Sequence, residues 1–299
     1  MARNKKTSGS LFTFMNFLIA LLLKNGQYRT MQHYKATLNS YKRYRKDKDI
    51  TFKEIDAKEM QSYEAYLKNV AKVCNNTSSF YLRILRATYN KAVEKGYATQ
   101  QNPFKDVYTG IAKTNKRAIP TESVSSIKRL DSTIVLTPKQ ELARDTFMMC
   151  FYLRGISFID LAHLRKSDLK DGFISYTRSK TGQRISIRWE KDMQDIVDKY
   201  QTQTADSTYL FPFLTSGTNS KNVTLQDKGQ DELRLYHNAE SRITYHLKKL
   251  GAKMGINGKL TLYVARHSWA TTARDKNISI SIISEALGHN SETTTQIYL

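Results

Sequence analysis

Four polar side chains stand inside otherwise apolar stretches in the second half of this chain. Arg154 lies within CFYLRGISFIDL, Lys180 at the turn of GFISYTRSKTGQRISIRW, and Arg266 within YVARHSWATTA; His289 opens HNSETTTQIYL and precedes Tyr298 by nine positions. Guanidinium and ammonium groups gathered at one point hold an oxyanion and stabilise charge that develops on it. A tyrosine is an oxygen nucleophile, but its phenol has an ordinary pKa near 10 and needs acceptors or cations around it to act at neutral pH. Singly, each residue has an ordinary structural role. Arg154 can pair with Asp160, a lysine at a hairpin tip is solvated, Gly288-His289 ends a helix, and Tyr298 is a terminal aromatic.

Composition narrows the partner. The 299 residues carry 48 Lys+Arg against 27 Asp+Glu, a formal net charge of +21. Such an excess fits a polyanion, an acidic membrane face or an acidic protein, and nucleic acid leads these. An aromatic content of 11%, with 18 Tyr, belongs to a folded protein rather than a disordered one. Cys74 and Cys150 are the only cysteines and share no CxxC spacing, so neither a disulfide framework nor a zinc site is expected. Both fall in apolar helical patterns and read as buried, reduced thiols of a cytoplasmic protein. The basic start and the apolar run Leu11 to Leu23 imitate an export signal. At about 13 residues the run is shorter than the roughly 20 a bilayer requires. It also contains Thr13 and Asn16, and Lys24-Asn25 follows where small residues would mark cleavage; a core helix is the expectation.

The elements that must position the polar residues follow from periodicity. Helices are expected over 11–24, capped by Ser8 or Ser10 and ended by Gly26, and over TMQHYKATLNSYKRYRKD, where Tyr34, Leu38 and Tyr41 share one face. Lys35, Lys42, Arg43 and Arg45 surround the rest of that second helix. DAKEMQSYEAYLKNV is a third, capped by Asp56 with Glu59 three residues on. NTSSFYLRILRATYNKAVEKG, carrying Arg83 and Arg86, is a fourth, and Pro103 breaks the pattern after it. Residues 1–112 thus form a basic all-helical domain. Residues 113–122, with Lys113, Lys116 and Arg117, have the composition of a linker that lies along phosphates or stays solvated.

The second domain, 123–299, opens with Thr121 or Ser123 as a cap. TPKQELARDTFMMCFYLRGISFIDLAHL reads as an apolar helical stretch. Alternation on both sides of Lys180-Thr181-Gly182 makes 172–189 a β-hairpin. Residues 215–230 read as a polar surface loop, and helices return at 232–255, 263–274 and 278–287. The fold class is mainly α with a small β-sheet. No internal repeat, Walker loop, GxGxxG or HExxH occurs.

Taken together, LTLYVARHSWAT and ISEALGHNSETTTQIYL resemble the tail of the tyrosine recombinases, or phage integrases, in which HxxR is followed by LGH and, nine residues later, by tyrosine. The resemblance runs over most of the chain. It implies a helical SAM-like core-binding domain and a recombinase catalytic domain, which together form a C-shaped clamp on duplex DNA. It also implies roles. Tyr298 attacks the scissile phosphate, Arg266 and Arg154 clamp it, His289 serves the environment of the nucleophile, and Lys180 protonates the departing 5′ oxygen. No cofactor or metal is called for, because cationic side chains take the place of an ion.

Two positions depart from the family pattern. Tyr263 stands where HxxR has its histidine; a phenol donates to a phosphate oxygen but carries no positive charge near pH 7. In the Arg-x-x-Glu/Asp-Leu motif, alignment on DLAHL makes Asp160 the acid and puts Ser157 at the arginine. Arg154 lies three residues earlier, on the same face of a continuous helix, and is preferred as the replacement; Arg178, from the hairpin, is the rival. This shifted motif resembles the branch carried by conjugative elements and invertible loci of gut anaerobes.

The resemblance implies a recombinase acting on double-stranded DNA at specific sites, by integration, excision or inversion. The intermediate is a 3′-phosphotyrosine, and a homotetramer on paired sites resolves a Holliday junction. Accessory DNA-bending proteins and a bacterial, cytoplasmic, nucleoid-associated setting go with it; a membrane does not. The end of the sequence one residue after Tyr298 reads as a truncation that weakens multimerisation. A type IB topoisomerase shares the chemistry, and a non-catalytic DNA-binding protein shares the fold; both stay open at this point.

Overall fold

The computed structural model describes residues 9–112, 117–131, 133–214, 225–296 and 299. The chain divides into two compact units, Met1–Thr114 and Asn115–Leu299.

The first unit is built from four helices, α1 (Leu11–Lys24), α2 (Tyr28–Arg45), α3 (Ala57–Asn69) and α4 (Asn75–Glu94). In α1 the residues at helical spacing, Leu11, Met15, Leu18 and Leu22, turn inward, and Gly26 (φ +68°) ends the run. Tyrosines form much of this core. Tyr41, Tyr63 and Tyr89 are fully buried, and their hydroxyls donate to Glu59, to Ser40 Oγ (2.8 Å) and to the carbonyl of Thr99 (2.7 Å). Such partners make burial of a phenol tolerable. Asp56 caps α3 by accepting from the Glu59 amide at 2.7 Å. Glu59 does not complete a capping box: its carboxylate accepts from Tyr41 at 2.7 Å and pairs with Arg45. Cys74 departs from the buried state expected of it, because it is the residue before the first turn of α4, exposed beside Thr77.

The second unit contains α5 (Thr121–Arg129), α6 (Pro138–Tyr152), α7 (Phe158–Ala162), β1 (Leu169–Lys170), β2 (Phe173–Thr177), β3 (Arg184–Arg188), α8 (Lys191–Asp198), α9 (Leu225–Lys253), α10 (Leu262–Asp275), α11 (Ile280–Ala286) and α12 (Glu292–Gln296). Pro120, rather than Thr121 or Ser123, precedes the first turn of α5. Ile119, inside the expected linker 113–122, is buried and its amide donates to Ser268 Oγ at 2.9 Å. Helix α6 begins with Thr137 and Gln140 bonded reciprocally and Pro138 in its first turn. It packs against α9 and α10 and forms the centre of the core with Phe147, Met149, Cys150 and Leu153. The sheet is antiparallel in the order β1-β2-β3, with Ile174 opposite Ile187 and Tyr176 opposite Ile185, so the period-two apolar face lies on the core.

Two expectations fail here. Residues 137–164 are not continuous helix: α6 stops at Tyr152 and α7 starts at Phe158. Helix α9 starts at Leu225, inside the stretch expected to be loop, while 215–224 lie outside the described residues. Among the described residues no helix is long and apolar enough to cross a membrane.

Candidate active site

Helix α10 places Tyr263 and Arg266 three residues apart, hence on one face. The turn after β2 brings Arg178 and Lys180 to the same place. It is closed by Gly182, whose amide donates to the Arg178 carbonyl at 2.8 Å and whose φ is +71°. Arg178, Lys180, Tyr263 and Arg266, with Ser157 and Thr261, line a cavity of about 300 Å³. Two guanidinium groups are buried there, Arg178 at 6% exposure and Arg266 at 4%. Burying charge is costly unless it is hydrogen-bonded, and backbone carbonyls supply the bonds. Arg266 donates to the carbonyls of Gly155 and Leu287, and Arg178 to that of Gly288.

Two glycines make room for these arginines. A β-carbon on Gly155 would lie 2.7 Å from Cγ of Arg266, and one on Gly288 would lie 2.9 Å from Cδ of Arg178. Both residues also have positive φ, +73° and +64°, which side-chain-bearing residues rarely adopt. Gly288 ends α11 and presents His289, whose amide donates to the Ser284 carbonyl at 2.9 Å. The His289 ring lies between Arg266 (2.9 Å to Nε2) and Thr295 Oγ1 (2.8 Å to Nδ1). Burial first, then the charges of Arg266, Arg178 and Lys180, hold its pKa down at about 3. His289 is therefore a neutral imidazole at physiological pH.

The site thus joins Arg178, Lys180, Tyr263, Arg266 and His289. It does not join Arg154. After Tyr152 the chain enters a turn in which Arg154 (φ +54°) and Gly155 (φ +73°) are both left-handed, and the Gly155 amide donates to the Cys150 carbonyl at 2.8 Å. The helical register that would carry Arg154 onto the face of Ser157 is broken there. Arg154 is half-buried and does not line the cavity, and the Asp160 carboxylate bonds to Ser157 and Ser179. Of the two candidates for the first arginine, the structure brings Arg178 and not Arg154 to the cavity.

The sequence offered Asp160 as the motif acid and as a partner for Arg154. Asp160 is 4% exposed, and its two oxygens accept from the Ser157 hydroxyl (2.6 Å) and the Ser179 amide (2.9 Å). The Ser157-x-x-Asp160 spacing was the available signal. Tyr298 lies outside the described residues, as do Lys113 and Lys116. On both sides of Tyr298 the chain is anchored. Thr295 is buried, and Leu299 packs with Ala270, Ala273, Ile283 and Leu287 while its carbonyl accepts from Arg274 at 2.8 Å. Of the other expected DNA contacts, Lys35, Arg43, Arg86 and Arg117 are exposed and Lys42, Arg45 and Arg83 are half-buried. Lys42 lies over the Phe12 ring, Arg45 pairs with Glu59, and Arg86 donates to Thr109 Oγ1.

Buried guanidiniums around this cavity, with the exposed Lys180 ammonium at its rim, form a cationic place that can hold an oxyanion such as a phosphate. The profile described as the phage integrase family matches residues 125–299, and that of the phage integrase SAM-like domain matches residues 10–111. Tyrosine recombinase XerA of Pyrococcus furiosus is 29% identical over 191 residues, 63% of this chain and 58% of that protein. Tyrosine recombinase XerC of Leptospira interrogans is 24% identical over 296 residues, 96% of this chain and 86% of its own length. Among solved structures, lambda integrase, as a dimer bound to a COC′ core site, superposes with a TM-score of 0.64 at 17% identity; the alignment covers 97% of this chain and 95% of that one, so the fold is shared.

Proposed function

This chain belongs to the phage integrase family, and from that premise we propose that it is a site-specific recombinase that cuts and rejoins duplex DNA through Tyr298. The observation that carries the reading is the convergence of two buried guanidiniums, Arg178 and Arg266, on a cavity rimmed by Lys180 and Tyr263.

The scissile phosphate occupies that cavity. Arg178 and Arg266 donate to its non-bridging oxygens and strengthen their hold as charge builds on them in the transition state. Tyr263, half-exposed at the rim, adds a neutral donor. The Tyr298 oxygen forms a bond to phosphorus as the bond to O5′ breaks; the phenolic proton passes to water and the Lys180 ammonium protonates O5′. The products are a 3′-phosphotyrosine and a free 5′-hydroxyl. Because one phosphodiester replaces another, the bond energy is retained and a 5′-hydroxyl of a second strand can reverse the step. His289, neutral and held by Arg266 and Thr295, fixes one guanidinium without adding charge.

We assign DNA contacts outside the site to the exposed cations Lys35, Arg43 and Arg86 of the first unit and to Arg117, with four protomers on paired sites for strand exchange. The cytoplasm, at the nucleoid, is the setting this activity requires. The test is to select bound sequences from random duplexes and offer them as nicked substrates that trap the intermediate. An adduct that survives denaturing gels supports the reading, and binding without any adduct refutes it.

A further inference from the structure

We propose that Thr261 is a further phosphate-binding residue of the active site, its hydroxyl donating to a non-bridging oxygen of the scissile phosphate. This rests on the reading of the cavity beside Arg178 and Arg266 as the place of that phosphate.

Thr261 directly precedes the first turn of α10, on extended backbone (φ −143°, ψ 164°). A threonine at such a position ordinarily accepts from an amide of the first turn, which is why the residue type is favoured at helix starts. Thr261 makes no such bond. Its Oγ1 is buried and, among the described residues, has no hydrogen-bond partner. A buried hydroxyl left in this way destabilises the fold, so the fold does not account for it.

An anion in the cavity does. Thr261 lines the same cavity as Arg178, Lys180 and Arg266, and so do Leu262 and Tyr263, the first two residues of α10. The positive end of the dipole of this 14-residue helix therefore adds to the field there. Ser157, another hydroxyl of the lining, is already committed to Asp160 at 2.6 Å. Tyr263, where the family pattern has histidine, brings no charge, and a second neutral donor makes up part of that loss. Thr261 is partly exposed although its Oγ1 is covered. One rotation about Cα–Cβ exchanges hydroxyl and methyl within nearly the same volume, which turns the donor toward a bound oxygen.

Valine separates a role in the fold from a role in the reaction, because it keeps the shape and replaces the hydroxyl with a methyl. A hydroxyl that served the fold would make Thr261→Val less stable. A hydroxyl kept for the phosphate makes the variant unfold no earlier than the natural chain and yet cleave slowly.

The experiment measures melting temperature and single-turnover adduct formation on the selected, nicked duplex. The duplex carries either an ordinary scissile phosphate or one of its two phosphorothioate isomers, each with sulfur, a poorer acceptor, at one non-bridging position. Thr261→Val should slow cleavage of the ordinary duplex about tenfold or more, toward the ~10²–10³-fold cost of losing one fixed donor to a developing oxyanion. That penalty should fall to about threefold or less on one isomer and persist on the other, since only one oxygen is contacted. Thr261→Ser, which keeps the hydroxyl, should cleave at least about fivefold faster than Thr261→Val. The contact would be overturned by a lower melting temperature of Thr261→Val, by cleavage of the ordinary duplex within about threefold of the natural rate, by an equal penalty on both isomers, or by Thr261→Ser as slow as Thr261→Val. Each of these leaves the recombinase reading intact. Absence of an adduct between the natural chain and the ordinary duplex would bring down both.

Discussion

The Arg266 guanidinium donates to Nε2 of His289 at 2.9 Å, so the neutral ring carries its hydrogen on Nδ1 and donates it to Thr295 Oγ1 at 2.8 Å. Protonation of His289 would put a cation against Arg266, with Arg178 and Lys180 close by. The folded-state pKa of about 3 lies below the ordinary 6.5. The unfolded chain therefore takes up a proton between these values that the folded chain refuses. Stability from this residue is fully present above pH 6.5 and is lost as the pH falls toward 3. Urea midpoints at about pH 7.5 and pH 5 should differ more for the natural chain than for His289→Asn. Identical acid losses in the two proteins would contradict the neutral ring.

Arg178, not Arg154, is expected to be required for cleavage. Arg178→Ala removes a buried guanidinium from the cavity and should lower the rate of adduct formation by ~10²–10³-fold, the usual cost of losing one fixed donor to a developing oxyanion. Arg154→Ala should stay within about threefold, since that side chain only decorates the turn after α6. Single-turnover cleavage of a nicked duplex measures both.

Gly288→Ala tests the packing beneath Arg178. A β-carbon there meets Cδ of Arg178 at 2.9 Å and is also strained at φ +64°. Gly255→Ala has a similar φ, +65°, with nothing within 4 Å, and so isolates the backbone strain. Thermal unfolding should show a loss of about 1–2 kcal/mol for Gly255→Ala. Gly288→Ala should lose more, and only it should slow cleavage.

Salt should weaken DNA binding steeply, because a chain with net charge +21 binds by releasing counterions. Replacing Lys35, Arg43 and Arg86 by alanine should flatten the slope of log affinity against log salt by about one for each phosphate no longer neutralised. Fluorescence anisotropy across a salt series reads the slope directly; an unchanged slope would remove the first unit's exposed cations from the interface.

Several of these features were legible in the sequence. The bounds of α1 follow from its 3.6-residue apolar spacing and Gly26, and the hairpin follows from alternation around a glycine turn. Tyr263, Arg266 and His289 were singled out by the resemblance of the tail to the recombinase pattern. Arg154 misled because apolar periodicity continues across Leu153–Phe158 although the backbone does not. Only Gly155 marked the break, and the reason for it, the closeness of Arg266, is a contact between residues 111 positions apart. Cys74 misled for a similar reason: an apolar neighbourhood in sequence became the exposed start of a helix. The Asp160–Ser179 bond could not be read at all, since it ends on a backbone amide and leaves no trace in residue type.

The central claim is that the Tyr298 phenol becomes covalently joined to DNA. The direct measurement incubates the natural chain and Tyr298→Phe with the same selected, nicked duplex, digests the adduct, and identifies the modified residue by mass spectrometry. The account predicts a nucleotide attached to Tyr298 and no adduct from Tyr298→Phe, which nevertheless binds the duplex with unchanged affinity. A nucleotide on any other residue, or strand transfer by Tyr298→Phe, would contradict it.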